Sequence, residues 1–326
     1  MTKFMRNCAI SALIMIVAGL VLSLSACAIK GTEAMSEAVS EMSDGRLNLN
    51  LGNEDGWGLT WDDTSLGEIL EENTEIHFDI SDNSVFDSHH SVESGDVQKE
   101  FAGADIDELK IEVGGCEMKI EDSSDNVVRI KAENTKKFQS YVEDGCLYVR
   151  AVRSGNFNAS ESNRCEIVLS VPRDLAFDMA EIDLGAGKLE LCRITAKKLA
   201  IEVGAGQLTG EKLTADSAQI EIGAGGIRIE EMDFGSVEAE VGMGNLELNG
   251  DVSKDLDVVC AMGNVDIRLN GSESDYNYRI EGAVGNVDIG DTGYKGIAQE
   301  RTIDNGASRT ITVECSMGNL SVQFEK

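Results

Sequence analysis

Residues 182–225 read IDLGAGKLELCRITAKKLAIEVGAGQLTGEKLTADSAQIEIGAG, and the corner Gly-Ala-Gly closes three times within that span. Gly187, Gly206, Gly225, Gly244 and Gly263 recur with a constant 19-residue period. The fourth corner is written Gly242-Met243-Gly244 and the fifth keeps only Met262-Gly263. Two looser copies end at Gly285 and Gly318, each after a wider interval. A fixed period of this length defines a repeat architecture before anything else.

The residues around each marker glycine fall into columns. Five and three places before it stand Ile182 and Leu184, Ile201 and Val203, Ile220 and Ile222, Ala239 and Val241, Val258 and Cys260. Two and four places after it stand Leu189 and Leu191, Ile227 and Ile229, Leu246 and Leu248, Val265 and Ile267. Alternation with period two and β-branched enrichment predicts a half-buried strand on each side of the corner. The glycines supply either positive φ or the space that a side chain would fill. One 19-residue rung cannot bury its apolar face, but rungs stacked about 4.8 Å apart can. The expected fold is therefore all-β, a single-stranded β-solenoid of about seven rungs in chain order, on the order of 30 Å long. Hairpins in a sandwich would also alternate, but their loops drift in length, and a constant interval argues against them.

The chain has 326 residues and a net charge of −31. That balance excludes a general nucleic-acid surface, which needs clustered Lys and Arg, and suits an exposed protein outside the cytoplasm. Lys3 and Arg6 precede an uncharged run from Asn7 to Ile29. Such a run is long enough to span a bilayer, with the bulk of the chain outside. Leu24-Ser25-Ala26-Cys27 also matches a bacterial lipobox, which would lipidate Cys27. Residues 1–29 thus read as a transmembrane anchor helix or a lipoprotein signal, and both place the chain on the outer face of the cell membrane. Residues 30–104 read as an acidic, largely irregular leader. It holds Trp57, Trp61, His77, His89 and His90. No further ligands stand at a fixed spacing from the histidine pair, so a metal site is not expected there. Residues 105–326 carry the β pattern, as a capping section (105–172) and regular rungs (173–326). In the capping section Gly114-Gly115-Cys116 repeats the corner with Cys116 in the glycine's place.

An acidic leader, a Gly-Gly turn, a strand ending in Val171-Pro172-Arg173 and repeated Gly-Ala-Gly rungs follow in that order. Over roughly residues 105–326 the chain resembles a bacterial adhesin-like family of unknown function built from β-strand repeats. The resemblance implies a β-solenoid fold and exported, membrane-attached placement. It supplies no catalytic motif.

Four places before the marker glycines stand Asp183, Glu202, Glu221 and Glu240, then Val259, then Glu281 and Glu314. In a stack these form a line of carboxylates. Two unit charges about 4.8 Å apart repel by roughly 3.5 kcal/mol at an effective dielectric of 20, and by less than 1 in water. The line is either fully solvated or bridged, by Ca²⁺ or by a polycation. One place after the corner, Asn245, Asn264, Asn286 and Asn319 recur, as in an asparagine ladder.

No C-x-x-C pair occurs among the cysteines, which are expected as buried free thiols. Cys260 and Cys315 share a column with Gly282 on the rung between, about 9.6 Å apart and beyond bridging distance. The carboxylates repeat in register rather than clustering at one cleft, and no histidine lies within the repeats, so an enzyme is not expected. Gly185-Ala186-Gly187-Lys188 recurs without its lysine and is no phosphate loop. The reading is a membrane-anchored, adhesin-like surface module or scaffold that acts by binding an envelope protein or glycan partner, with no cofactor beyond Ca²⁺. The alternatives are the sensory or partner component of an envelope-stress response and, third, a glycan-processing enzyme.

Overall fold

A computed structural model describes residues 47–53, 56–61, 64–65, 86–152, 164–282, 286–290, 292–295 and 299–325. The expected anchor 1–29 with Cys27, the histidine His77 and the corner glycine Gly285 lie outside the described residues. The chain divides into two compact units, Met1–Ser81 and Asp82–Lys326. In the first, β1 (Leu47–Asn53), β2 (Gly56–Trp61) and β3 (Thr64–Ser65) form an antiparallel sheet in the order β1-β2-β3. The leader therefore contains strands, and Trp57 and Trp61 fall on β2.

In the second unit the described elements are all β apart from two short 3-10 turns. Its chain begins with β4 (Glu93–Ala102), β5 (Glu108–Gly114), β6 (Cys116–Ser123), β7 (Val127–Glu143), β8 (Cys146–Val152) and β9 (Glu166–Pro172). The regular part runs β10 (Phe177–Leu184), β11 (Gly187–Val203), β12 (Gln207–Ile222), β13 (Gly226–Val241), β14 (Asn245–Val252), β15 (Leu256–Cys260) and β16 (Asn264–Asn270). The last strands are β17 (Tyr276–Gly282), β18 (Asn286–Ile289), β19 (Thr292–Lys295), β20 (Gln299–Ile303), β21 (Arg309–Cys315) and β22 (Asn319–Glu325).

In the regular part each residue pairs in parallel with its counterpart one repeat further on. Ile182 faces Ile201, Ile201 faces Ile220, Ile220 faces Ala239 and Ala239 faces Val258. All of these point inward and are buried. Fully burying one such aliphatic side chain contributes roughly 1.5–3 kcal/mol, and each layer needs its neighbours to achieve it. The corner does not interrupt the ladder. Ala205 donates its N–H to Gly185 O at 2.8 Å, Ala224 to Gly204 O at 2.7 Å and Met243 to Gly223 O at 2.7 Å.

The middle layers have a third side besides the two that flank the corner. Strands β11, β12 and β13 continue past the second apolar pair, and Ile194, Leu213 and Met232 stack in register. Ala196, Ala215, Phe234 and Val252 make a second such column, all buried.

Layer order departs from chain order at both ends. Before the corner, the described strands stack β8-β5-β10-β11-β12-β13-β15-β21-β17. After the corner they stack β9-β6-β11-β12-β13-β14-β16-β22-β18. Among the described residues the stack is nine deep, not seven, because the Cys116 corner and the β8–β9 pair add two layers. The layer of Gly318 lies directly on that of Gly263, and the β17–β18 layer, expected between them, lies outside both. The long interval before Gly318 holds the reason: β19 and β20 return antiparallel along β18 and β17 before the chain enters β21. At the opposite end β7 pairs antiparallel with both β8 and β9, and β4 pairs antiparallel with β7. The sheet thus extends upstream of Asp105. Lys99 on β4 lies in a part-buried position, its ammonium donating to Ser140 O at 2.8 Å, and so interrupts the apolar alternation.

Candidate functional site

The side facing outward before the corner carries the acidic residues, because Ile and Val at alternate positions take the inward places. Asp183, Glu202, Glu221 and Glu240 stand in one line, each the direct partner of the next. The line continues at one end through Glu112, which faces Asp183, and ends on Arg150. At the other it passes Val259 to Glu314 and then Glu281. Glu314 therefore precedes Glu281 in space, the reverse of chain order. Glu112 extends the line by a residue that the Cys116 corner would have indicated, since it stands four places before Cys116.

Cations gather at the Glu112 end. Arg150 Nε is 2.7 Å from Glu112 Oε2, and Lys110 Nζ is 2.8 Å from Glu181 Oε1 and 3.5 Å from Glu112 Oε1. Arg150 also donates to Tyr141 Oη at 2.8 Å and lies over the Tyr148 ring at 4.8 Å. Midway, Gln219 Nε2 donates to Glu221 Oε1 at 2.9 Å. Asp183, Glu202 and Glu221 are half-buried, while Glu240 is exposed.

Burial, followed by the charges of Glu112 and Glu181, pushes the Asp183 carboxyl up to about 6. Burial, followed by Asp183 and Glu221, pushes Glu202 up to about 7. Glu240 is raised too, by crowding of its carboxyl end even though the residue as a whole is exposed, and then by the charges of Glu221, Glu238 and Glu314. The line is thus not the fully solvated face that simple alternation suggests. Asp183 and Glu202 are crowded enough to hold protons near neutrality, which is what two like charges at rung spacing in a partly dry setting should do.

On the next side the expected asparagine ladder forms. Asn264 Nδ2 donates to Asn245 Oδ1 at 3.0 Å, Asn319 Nδ2 to Asn264 Oδ1 at 2.9 Å and Asn286 Nδ2 to Asn319 Oδ1 at 2.9 Å. The amides follow the spatial order of layers, with Asn319 inside Asn286.

The cysteines need correction. Cys116 and Cys165 form a disulfide with Cα atoms 4.9 Å apart, so they are not free thiols. Cys146, Cys192, Cys260 and Cys315 are free, and Cys192 is only half-buried. Cys260 and Cys315 are direct partners on adjacent layers, with Gly282 facing Cys315 from outside rather than lying between them.

The fold also assembles a group that spacing alone did not reveal. Ligand atoms of Asp87, His90 and Glu143 lie within 4.8 Å of one another, as in a cation site. Gln139, fully buried, positions the loop by accepting from Asp87 N–H at 2.9 Å and donating to Asp87 O and His90 O. The His90 ring stacks on Tyr141 at 3.6 Å between centroids. Glu143 closes β7, far from His90 in the chain and beyond the reach of any local motif.

Parallel layers in 19-residue register, a corner glycine and an outward acidic line define an all-β repeat protein. The chain matches the Toastrack DUF4097 family model over residues 26–323, and it belongs to that family. Among curated proteins none matches the sequence. Solved structures that it resembles include a "putative adhesin" from Parabacteroides merdae, 13% identical, covering 71% of this chain and 97% of that one, with a TM-score of 0.40. A "putative adhesin" from Bacteroides fragilis is 15% identical, covering 71% of this chain and 97% of that one, with a TM-score of 0.36. A "putative cell adhesion protein" from Clostridium sporogenes is 12% identical, covering 72% of this chain and 100% of that one, with a TM-score of 0.31.

Proposed function

We propose that the chain is a membrane-attached, extracytoplasmic β-solenoid that acts by binding, and that the outward acidic line is its binding face. The observation that carries this reading is the register of Glu112, Asp183, Glu202, Glu221, Glu240, Glu314 and Glu281 along one side of the stack. Asp183, Glu202 and Glu240, whose carboxyl pKa values are raised, gain from any cation that bridges them. A hard divalent ion, Ca²⁺ above all, or a cationic segment of an envelope partner fits that chemistry. The N-terminal apolar run supports attachment to the outer face of the membrane, either as a spanning anchor or through Cys27.

Ca²⁺ titrated into the full chain in detergent, with Mg²⁺ and the Glu202→Gln/Glu221→Gln/Glu240→Gln variant as controls, tests the reading. A rise in melting temperature that is larger with Ca²⁺ than with Mg²⁺ and is lost in the variant is expected. An equal response in parent and variant would remove the acidic line as a cation-binding face.

A further inference from the structure

Through the regular part, each layer rests on the one that the chain completed a single repeat earlier. That order breaks in two places. The β5–β6 layer lies between β8–β9 and β10–β11, although β8 and β9 come between them in the chain. The β21–β22 layer lies between β15–β16 and β17–β18, although β17 and β18 come earlier in the chain. At these two places a layer must find its partner across a long loop, where closure costs more entropy than across a single repeat.

Each break carries two cysteines at equivalent positions on adjacent layers. At the first, Cys116 begins β6 and Cys165 immediately precedes β9; they are bonded at a sequence separation of 49. At the second, Cys260 ends β15 and Cys315 ends β21, direct parallel partners with four other strands between them in the chain, β17 to β20, besides β16. Adjacent parallel strands hold such partners about 4.8 Å apart at Cα, inside the range that a disulfide spans. Cys260 and Cys315 are 0% and 2% exposed, and as register partners on adjacent layers they hold their thiols side by side in the core.

We propose that Cys260 and Cys315 are a second disulfide pair, which closes in an oxidising compartment and staples the inserted C-terminal layer to the layer beneath it. Closure proceeds by thiol–disulfide exchange with an external disulfide. One cysteine thiolate attacks a sulfur of oxidised glutathione and expels a glutathione thiolate; the second cysteine thiolate then displaces the other glutathione. The pair loses two electrons and two protons, and two reduced glutathione molecules leave. Because both sulfurs are buried in the finished fold, exchange takes place while β21 is docking, and the closed bond is afterwards shielded from reductant. Constraining a loop of this length disfavours the open chain most, and the inserted layer is where that matters.

The test uses the full chain, reduced and unfolded in guanidinium, then refolded in a glutathione redox buffer. Remaining thiols are blocked with N-ethylmaleimide under denaturing conditions, and peptides are mapped by mass spectrometry without reduction. The linked peptide Cys116–Cys165 reports that folding and oxidation have occurred. Together with it, a Cys260–Cys315 linked peptide is expected, with loss of the maleimide adduct at both positions and its retention at Cys146 and Cys192. Maleimide on Cys260 and Cys315 in protein whose Cys116–Cys165 link is closed would overturn the proposal, as would either cysteine linked to another.

Discussion

A methyl group added at a corner glycine meets whatever the layer beneath places there. At Gly206 a Cβ would lie 2.7 Å from Leu184 Cδ2, and at Gly318 2.6 Å from Cys260 Sγ. At Gly244 it would collide with both Ile222 Cγ2 and the carbonyl oxygen of Gly225, which is backbone and cannot turn aside. Gly114 has nothing within 4 Å of the same position. Gly244→Ala should therefore destabilise by about 1–3 kcal/mol, the usual penalty for overfilling a packed site, while Gly114→Ala stays within about 0.5 kcal/mol. Chemical denaturation of the two variants checks the contrast, and equal losses would refute it. Sequence spacing located these corners but left open whether they needed space or an unusual dihedral. Close approach is the main answer: of the described marker glycines Gly187 alone has positive φ, +121°. The carboxylates were legible as a line, yet their half-burial was not. That depends on how closely neighbouring side chains crowd the outer surface, which alternation does not encode.

Strands carry the next level of the account. The asparagine ladder links four layers on one side of the stack, and its members do not contribute equally. Asn264 donates to Asn245 and accepts from Asn319, whereas within the ladder Asn286 makes only the donor bond to Asn319. At about 0.5–1.5 kcal/mol for each net hydrogen bond, Asn264→Ala should destabilise by about 1–2 kcal/mol and Asn286→Ala by about half as much. Thermal melts of the two variants would decide this; a larger loss at Asn286 would mean that the amides are not in the described order. The repeat length and the strands beside each corner were readable from Ile, Val and Leu at fixed offsets. The third side of the middle layers was also written in the sequence, as Ile194, Leu213 and Met232 at the same 19-residue spacing. Its signal is weaker because its columns mix alanine with large residues, Ala196 and Ala215 stacking under Phe234.

For the whole molecule, spatial order matters more than count. Cys260 and Cys315 share a column, but nothing in a column says which layer is next, so the two wider intervals read naturally as successive rungs. The return hairpin of β19 and β20 changes that, and with it the consequences of losing the C-terminus. A chain ending at Ser308 lacks β21 and β22, and so removes the outer parallel partners of β15–β16 and the parallel partners of β17–β18. Hydrogen exchange should show residues 276–282 and 286–289 less protected in that variant than in the full chain, because their parallel pairing to the stack runs through the missing layer and only the antiparallel pairing with β19 and β20 is left. Protection of these residues equal to that in the full chain would restore chain-order stacking. The acidic line is the other property of the whole stack, since no single layer contains it. Its raised carboxyl pKa values mean that the folded state holds protons more tightly than the unfolded chain does. For Glu202 the unfolded value is 4.5 and the folded value about 7. For Asp183 the values are 3.8 and about 6. Stability from these groups therefore falls as pH rises through that window, and the loss is complete above the folded values.

The most direct measurement is the melting temperature of the Glu202→Gln/Glu221→Gln/Glu240→Gln variant against the parent, from about pH 5 to about pH 8. A line of crowded, outward carboxylates predicts that the variant folds, melts above the parent at the upper end of that range, and depends less on pH. A variant that melts below the parent at about pH 8, or fails to fold, would contradict the in-register acidic face on which the account rests.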